Sequence, residues 1–236
     1  KLYAKKNIIG VKALNIFVEK DYDAMSKRAA NILIDAIKKK PDIVLGLATG
    51  STPIGLYKEL VKAHVEKGLD FSRVTTFNLD EYIGLSPEHP NSYVYYMNEN
   101  LFNHVNISKE NIHIPDGMAE NPEEYCKKYD EMIDESGGID IQILGVGENG
   151  HIAFNEPDES LSVGTSVVEL AENTVEANSR FFKSKDEVPR TAISMGIGNI
   201  LKAKRIILLA NGKKKAPVIK KLLEEKRVST KFPVSF

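Results

Sequence analysis

Thiol chemistry is nearly missing from the sequence, which has a single cysteine, Cys126. That excludes an intramolecular disulfide framework and a cysteine-rich zinc site. Charge of one sign is missing too: 32 Lys and Arg against 33 Asp and Glu leave a formal charge of −1. Without a surface-wide field, neither nucleic acid nor an anionic membrane is expected as a partner, although a local basic pocket stays open. No apolar run approaches the ~20 residues of a membrane span. The basic start, Lys1 to Lys6, is not followed by the unbroken apolar region of a signal peptide, so a cytoplasmic protein is expected. His64, His89, His104 and His113 show no H-E-x-x-H or paired spacing, and no metal is expected. Cys126 sits among charges in a predicted helix and is not set up as a nucleophile.

What remains describes an ordinary globular chain: 42% hydrophobic and 28% charged residues over 236 positions can bury a core without staples. Short apolar runs alternate with helical periodicity. Residues 14–18 read as a strand, and Asp21 or Asp23 then caps a helix to about Lys39, with Met25, Ala29, Ile32, Leu33 and Ala36 on one face. Residues 42–48, 74–79, 139–146, 192–195 and 205–210 read as further strands, and 228–236 as the start of a last one. Helices are predicted over 53–66, 93–102, 122–136 and 213–225. The pattern predicts one α/β domain over 1–236, a Rossmann-like, doubly wound, mostly parallel sheet with helices on both faces. The polar stretch from about 155 to 190 is too long for a crossover loop and is expected to be a lid insert.

Four segments can carry chemistry. Thr49, Gly50, Ser51 and Thr52 lie between a buried strand and a helix, where free N–H groups, the helix dipole and hydroxyls favour a phosphate. No Gly-Lys-Ser/Thr follows, so this is not a Walker loop. Asp80 and Glu81 end the next strand, where ligands of open α/β sheets bind and a carboxylate can act as general base. Adjacent side chains on an extended chain point apart, so at most one faces a given pocket. Residues 145–157 contain a literal G-x-G-x-x-G, but no helix pattern opens at its last glycine, so a dinucleotide site is not expected. The glycines instead allow a tight turn that presents His151, with Asn149 and Glu156 near enough in sequence to orient it as a proton shuttle. Finally, Arg180 lies beside aromatics and Lys213–Lys215 at a strand-to-helix junction, where at most one lysine points inward.

Together these segments resemble the glucosamine-6-phosphate deaminase family. GLATGSTP (46–53), FNLDEY (77–82), HPNSY (89–93), GVGENGHIAFNEP (145–157), ANSRFF (177–182) and NGKKKA (211–216) occur in family order over most of residues 14–236. The resemblance implies conversion of glucosamine 6-phosphate and water to fructose 6-phosphate and ammonia, without metal or organic cofactor. It also implies roles. Asp80 is the base that moves a proton between C2 and C1, and His151 opens the pyranose ring. Asn149 and Glu156 orient and tune that histidine. Residues 49–52, Arg180 and, by register, Lys215 clamp the phosphate.

Three departures shape the expectation. Some relatives carry Asp where this chain has Asn149, which leaves more of the imidazolium's stabilisation to Glu156. Allosterically activated hexameric relatives have basic residues upstream of the ANSRFF segment, whereas Gly164 to Val168 has none, so a monomer without activation by N-acetylglucosamine 6-phosphate is expected. Relatives continue past residue 236 with a further helix and strand, and residues 1–13 read as a leader; a shortened end is expected to expose a sheet edge. The alternatives are a 6-phosphogluconolactonase-like hydrolase, which needs no C2 base, and a non-catalytic sugar-phosphate sensor, which would carry a DNA-binding helix pair.

Overall fold

The computed structural model describes the backbone of residues 4–6 and all of residues 14–236. The predicted leader, 1–13, lies outside the described residues except for β1 (Ala4–Lys6), which pairs antiparallel with β2 (Leu14–Ile16). β2, the strand read at 14–18, stands outside the central sheet; its residues are mostly exposed and, among the described residues, pair with β1.

Helix α1 (Tyr22–Lys39) starts where the Asp21 carboxylate accepts the Ala24 N–H at 2.8 Å. It buries Ala29, Ala30, Leu33 and Ile37 at helical spacing and ends before Pro41. After it come β3 (Val44–Leu47), α2 (Ile54–Lys67), β4 (Thr75–Asn78), β5 (Asp80–Tyr82), α3 (Tyr93–Asn100) and β6 (Ile112–His113). The second half holds α4 (Pro122–Glu135), β7 (Ile141–Leu144), β8 (Ser166–Glu169), α5 (Glu172–Asn178), β9 (Thr191–Ser194), α6 (Ile197–Lys202), β10 (Arg205–Leu208) and α7 (Ala216–Glu224).

The central sheet runs β10-β7-β3-β4-β6, parallel throughout and flanked by helices. β3 and β7 are buried at every residue, which is why both read as largely apolar runs; the exception, Gln142, donates its Nε2 to the Ile143 carbonyl at 2.9 Å. The order reverses between β3 and β7, so the crevice beyond their carboxyl ends is the natural place for a ligand. At the opposite end, Asp140 accepts the Val44 N–H at 2.9 Å and pairs with Lys40 at 2.6 Å and Lys204 at 2.7 Å. That pin ties the amino ends of β3, β7 and β10 together and leaves the carboxyl ends to the chemistry.

Two regions differ from the sequence reading. The strand expected at 192–195 does not join the central sheet. It forms β9, in a separate antiparallel sheet ordered β5-β9-β8. The stretch 155–190 therefore supplies a strand and a helix of its own. Residues 228–236 form no strand. They make an isolated bridge between Ser229 and Phe232 and a single turn over Pro233–Ser235. Pro233 has no N–H for a ladder, and the segment folds onto the His151 turn, where the Val234 N–H donates to the Gly150 carbonyl at 2.9 Å.

Candidate active site

Four of the sequence-selected segments lie at the carboxyl edge of the central sheet: residues 48–53 follow β3, Asp80 follows β4, 145–156 follow β7 and 209–215 follow β10; the Arg180 segment comes instead from the end of α5.

The turn after β7 assembles three candidates by direct contact. His151 Nδ1 lies 3.0 Å from Glu156 Oε1, and Asn149 Nδ2 donates to Glu156 Oε2 at 2.6 Å. Asn149 Oδ1 accepts the His151 backbone N–H at 3.1 Å. Thr174, on α5, donates its hydroxyl to Glu156 Oε1 and sits 3.5 Å from His151 Nδ1. Burial pushes the Glu156 carboxyl up, but bonds from His151, Thr174 and Asn149 and the attraction of His151 outweigh it, and the carboxyl titrates below its ordinary value. A histidine held at Nδ1 by a carboxylate leaves Nε2 free for a substrate. The glycines make the turn possible. A Cβ on Gly147 would stand 2.5 Å from His151 Nε2, and Gly150 has φ +94° with the Phe232 ring beneath it.

Asp80 and Glu81 separate as alternation requires. Glu81, 1% exposed, turns to the start of α3, where it accepts the N–H groups of Tyr93 (2.8 Å) and Val94 (3.0 Å) as well as that of Tyr82 (2.8 Å). It is a helix anchor, held against the positive end of the dipole. Asp80 is 6% exposed, and among the described residues no hydrogen bond reaches its carboxylate. Burial, with the Glu81 charge alongside, pushes it up to about 8; burial also lifts Glu81 to about 7, opposed by its N–H donors. Ser194 links this strand to the His151 turn. It pairs with Asp80 in the β5–β9 register, and its Oγ accepts the Phe154 N–H at 3.0 Å.

Thr49, Gly50, Ser51 and Thr52 form the turn into α2. Tyr96 OH donates to the Gly50 carbonyl at 2.6 Å, and Tyr22 OH donates to the Thr52 carbonyl at 3.1 Å while accepting the Gly55 N–H at 2.7 Å. Thr52 Oγ1 donates to Asn211 Oδ1 at 3.0 Å, which joins this turn to the one carrying the lysines. Of those, Lys213 and Lys214 are exposed and Lys215 is half-buried. Burial lowers the Lys215 ammonium, Glu148 opposes that, and Arg180 and Lys214 add repulsion, so Arg180 and Lys215 share one local field. Arg180 is exposed and stacks over Phe181 at 4.6 Å. Its segment is held by Asn178, whose amide donates to Tyr82 OH at 2.8 Å, and by Phe182, edge-on to the Tyr82 ring.

Sequence reasoning missed Thr174, Tyr22, Tyr96 and Asn211. Each acts through a partner at least 18 residues away, and no local pattern gives its contact, although Asn211 opens the NGKKKA motif. Among the described residues, no cluster of His, Cys, Asp and Glu could hold a metal, and no helix is long and apolar enough to cross a membrane.

Comparison with known proteins gives a consistent result. The sequence model of a family described as glucosamine-6-phosphate isomerases/6-phosphogluconolactonase matches residues 19–236. A glucosamine-6-phosphate deaminase of Thermoanaerobacter pseudethanolicus is 58% identical over 222 residues, covering 94% of this chain and 87% of that one. One from Clostridium perfringens is 55% identical over 222 residues, covering 94% and 91%. Among solved structures, a monomeric glucosamine-6-phosphate deaminase is 49% identical with a TM-score of 0.90, covering 92% of this chain and 90% of that one. A 6-phosphogluconolactonase from Thermotoga maritima has a TM-score of 0.70 at 21% identity, covering 93% and 91%, a likeness of fold alone.

Proposed function

Because the chain belongs to the family of glucosamine-6-phosphate isomerases and 6-phosphogluconolactonases, we propose that it is a glucosamine-6-phosphate deaminase, converting glucosamine 6-phosphate and water to fructose 6-phosphate and ammonia. The observation that carries this reading over lactone hydrolysis is the buried, unpaired carboxylate of Asp80 at the carboxyl edge of the sheet. Hydrolysis of a lactone has no use for a carbon base; moving a proton from C2 to C1 requires one. The deaminase names of relatives at 55% and 58% identity support the same choice.

In this reading the phosphate is held by the backbone and hydroxyls of Thr49, Gly50, Ser51 and Thr52, with Arg180 and Lys215 as counter-charges. Binding energy gathered there, away from the reacting carbons, orients the sugar. His151 opens the ring, with Nε2 exchanging protons with the ring and C1 oxygens, while Glu156 holds Nδ1 and Asn149 holds Glu156. The open-chain aldehyde acidifies the C2 proton. Asp80 takes it and returns it at C1, and the enamine becomes a 2-imine. Water adds to the imine, ammonia leaves and the ketose remains. A carboxylate whose environment raises its basicity suits this proton transfer.

The deaminase of known structure at 49% identity is monomeric, and Gly164 to Val168 carries no cation. On those grounds the enzyme works as a monomer without activation by N-acetylglucosamine 6-phosphate; sigmoidal kinetics relieved by that compound contradict it. Ammonia release from glucosamine 6-phosphate, with unphosphorylated glucosamine as control, tests the activity itself.

A further inference from the structure

Helix α5 has seven residues, and two of its polar side chains reach different parts of the site. Thr174, 4% exposed, donates its hydroxyl to Glu156 Oε1. One helical turn later, Asn178 Nδ2 donates to Tyr82 OH at 2.8 Å. Residues four apart share a helix face. That face is fixed by Val175, which is fully buried in a small core with Tyr82, Phe154, Leu170, Val188 and Ala192. Tyr82 ends β5, two residues beyond Asp80, and Arg180 lies two residues beyond Asn178. Hydroxyl and amide groups drawn toward an apolar core are costly unless bonded. Here each finds its partner on a different catalytic element.

We propose that Thr174 and Asn178 are positioning residues, which make α5 a spacer setting Arg180 at a fixed distance from both the His151–Glu156 pair and the Asp80 strand. The inference rests on the deaminase reading above. One substrate presents its phosphate, C1 and C2 at fixed separations, so a helix bonded to both catalytic elements and leading into the arginine holds all three in register. Thr174 contributes through its hydroxyl: with that bond lost, Glu156 Oε1 keeps only His151, and the carboxylate is freer to rotate away from Nδ1. Valine keeps the shape of threonine and removes the donor; serine keeps the donor and removes a methyl.

The test is steady-state ammonia release by the full chain carrying Thr174→Val or Thr174→Ser, beside wild type. Thr174→Val is expected to lower kcat by about tenfold or more with KM changed less than about twofold, the loss of one charge-assisted bond. Thr174→Ser is expected to recover most of that rate. Tyr82→Phe and Asn178→Ala remove one bond from its two ends. Each is expected to lower kcat/KM, and the double variant to be no worse than the poorer single one. Wild-type kcat in Thr174→Val, equal impairment in Thr174→Ser, or multiplied losses in the double variant overturn the proposal. If valine unfolds the chain, the Tyr82–Asn178 cycle decides alone. Wild type inactive on glucosamine 6-phosphate would instead sink the deaminase reading, which keeps the two failures apart.

Discussion

Glu156 Oε1 lies 3.0 Å from His151 Nδ1, and Glu156 Oε2 accepts the Asn149 amide at 2.6 Å, so the carboxylate that orients the imidazole is itself oriented from the other side. Neutral Asn149 thus reaches the histidine through Glu156 and through the backbone N–H of residue 151, not through the ring. Glu156→Gln is expected to lower kcat by roughly 100-fold while the fold persists, because an amide can offer Nδ1 a donor where an acceptor is needed. Equal kcat in Glu156→Gln and wild type would remove Glu156 from the account.

Gly147 gives a steric test of the same ring. A methyl group there meets His151 Nε2 at 2.5 Å, the nitrogen that the proposed mechanism assigns to the sugar. Gly147→Ala is expected to displace the imidazole and lower kcat at least about tenfold, with a melting temperature close to that of wild type. Unchanged kcat would mean that the free nitrogen faces elsewhere.

In the proposed mechanism Asp80 sets the pH dependence. Its ordinary value is 3.8, and burial with Glu81 alongside raises it to about 8. As the proposed base it acts when ionised, so kcat/KM is expected to rise with pH through a midpoint about there, and Asp80→Asn to abolish turnover at every pH.

The same shift has a stability consequence of opposite sense. The folded chain holds this proton more tightly than the unfolded one, so the stability linked to it is complete below pH ~4 and is lost as pH rises through about 8. Asp80→Asn, neutral throughout, is expected to be more stable than wild type at pH 9, by an amount on the order of a few kcal/mol, and to show little gain at pH 4. Urea unfolding at the two pH values measures it; equal stabilities at pH 9 would place the Asp80 carboxylate in a more polar setting.

Arg180 and Lys215 repel one another in the absence of an anion, and burial already lowers Lys215. Arg180→Ala and Lys215→Ala are each expected to raise KM for the phosphorylated sugar at least about tenfold. Because Lys215 loses its proton below the ordinary lysine value, KM for wild type is expected to climb on the alkaline side, and this climb to vanish in Lys215→Ala. A KM that ignores both substitutions contradicts the clamp.

The central sheet was legible because buried parallel strands such as 44–47 and 141–144 are almost wholly apolar, with Gln142 the one polar side chain between them, and Asp21 and Pro41 bracket α1 by local chemistry. The second sheet was hidden: β5, β8 and β9 have three or four residues each, too few for alternation to show, and their pairings join residues 80–82 to 192–194. The strand read at 228–236 failed because apolar residues there serve another end, with Phe232 packing beneath Gly150. In the site, Asn149, His151 and Glu156 were readable because all three sit on one turn. Thr174 was not, since its hydroxyl matters only once α5 is folded against that turn. Glu81 illustrates the remaining ambiguity, for only the position of α3 tells an anchoring carboxylate from a catalytic one.

The most direct measurement is product analysis of the purified chain with glucosamine 6-phosphate. The account expects ammonia and fructose 6-phosphate in equal amounts, no turnover of unphosphorylated glucosamine at the same concentration, and no hydrolysis of 6-phosphogluconolactone above background. Lactone hydrolysis without ammonia release would contradict it.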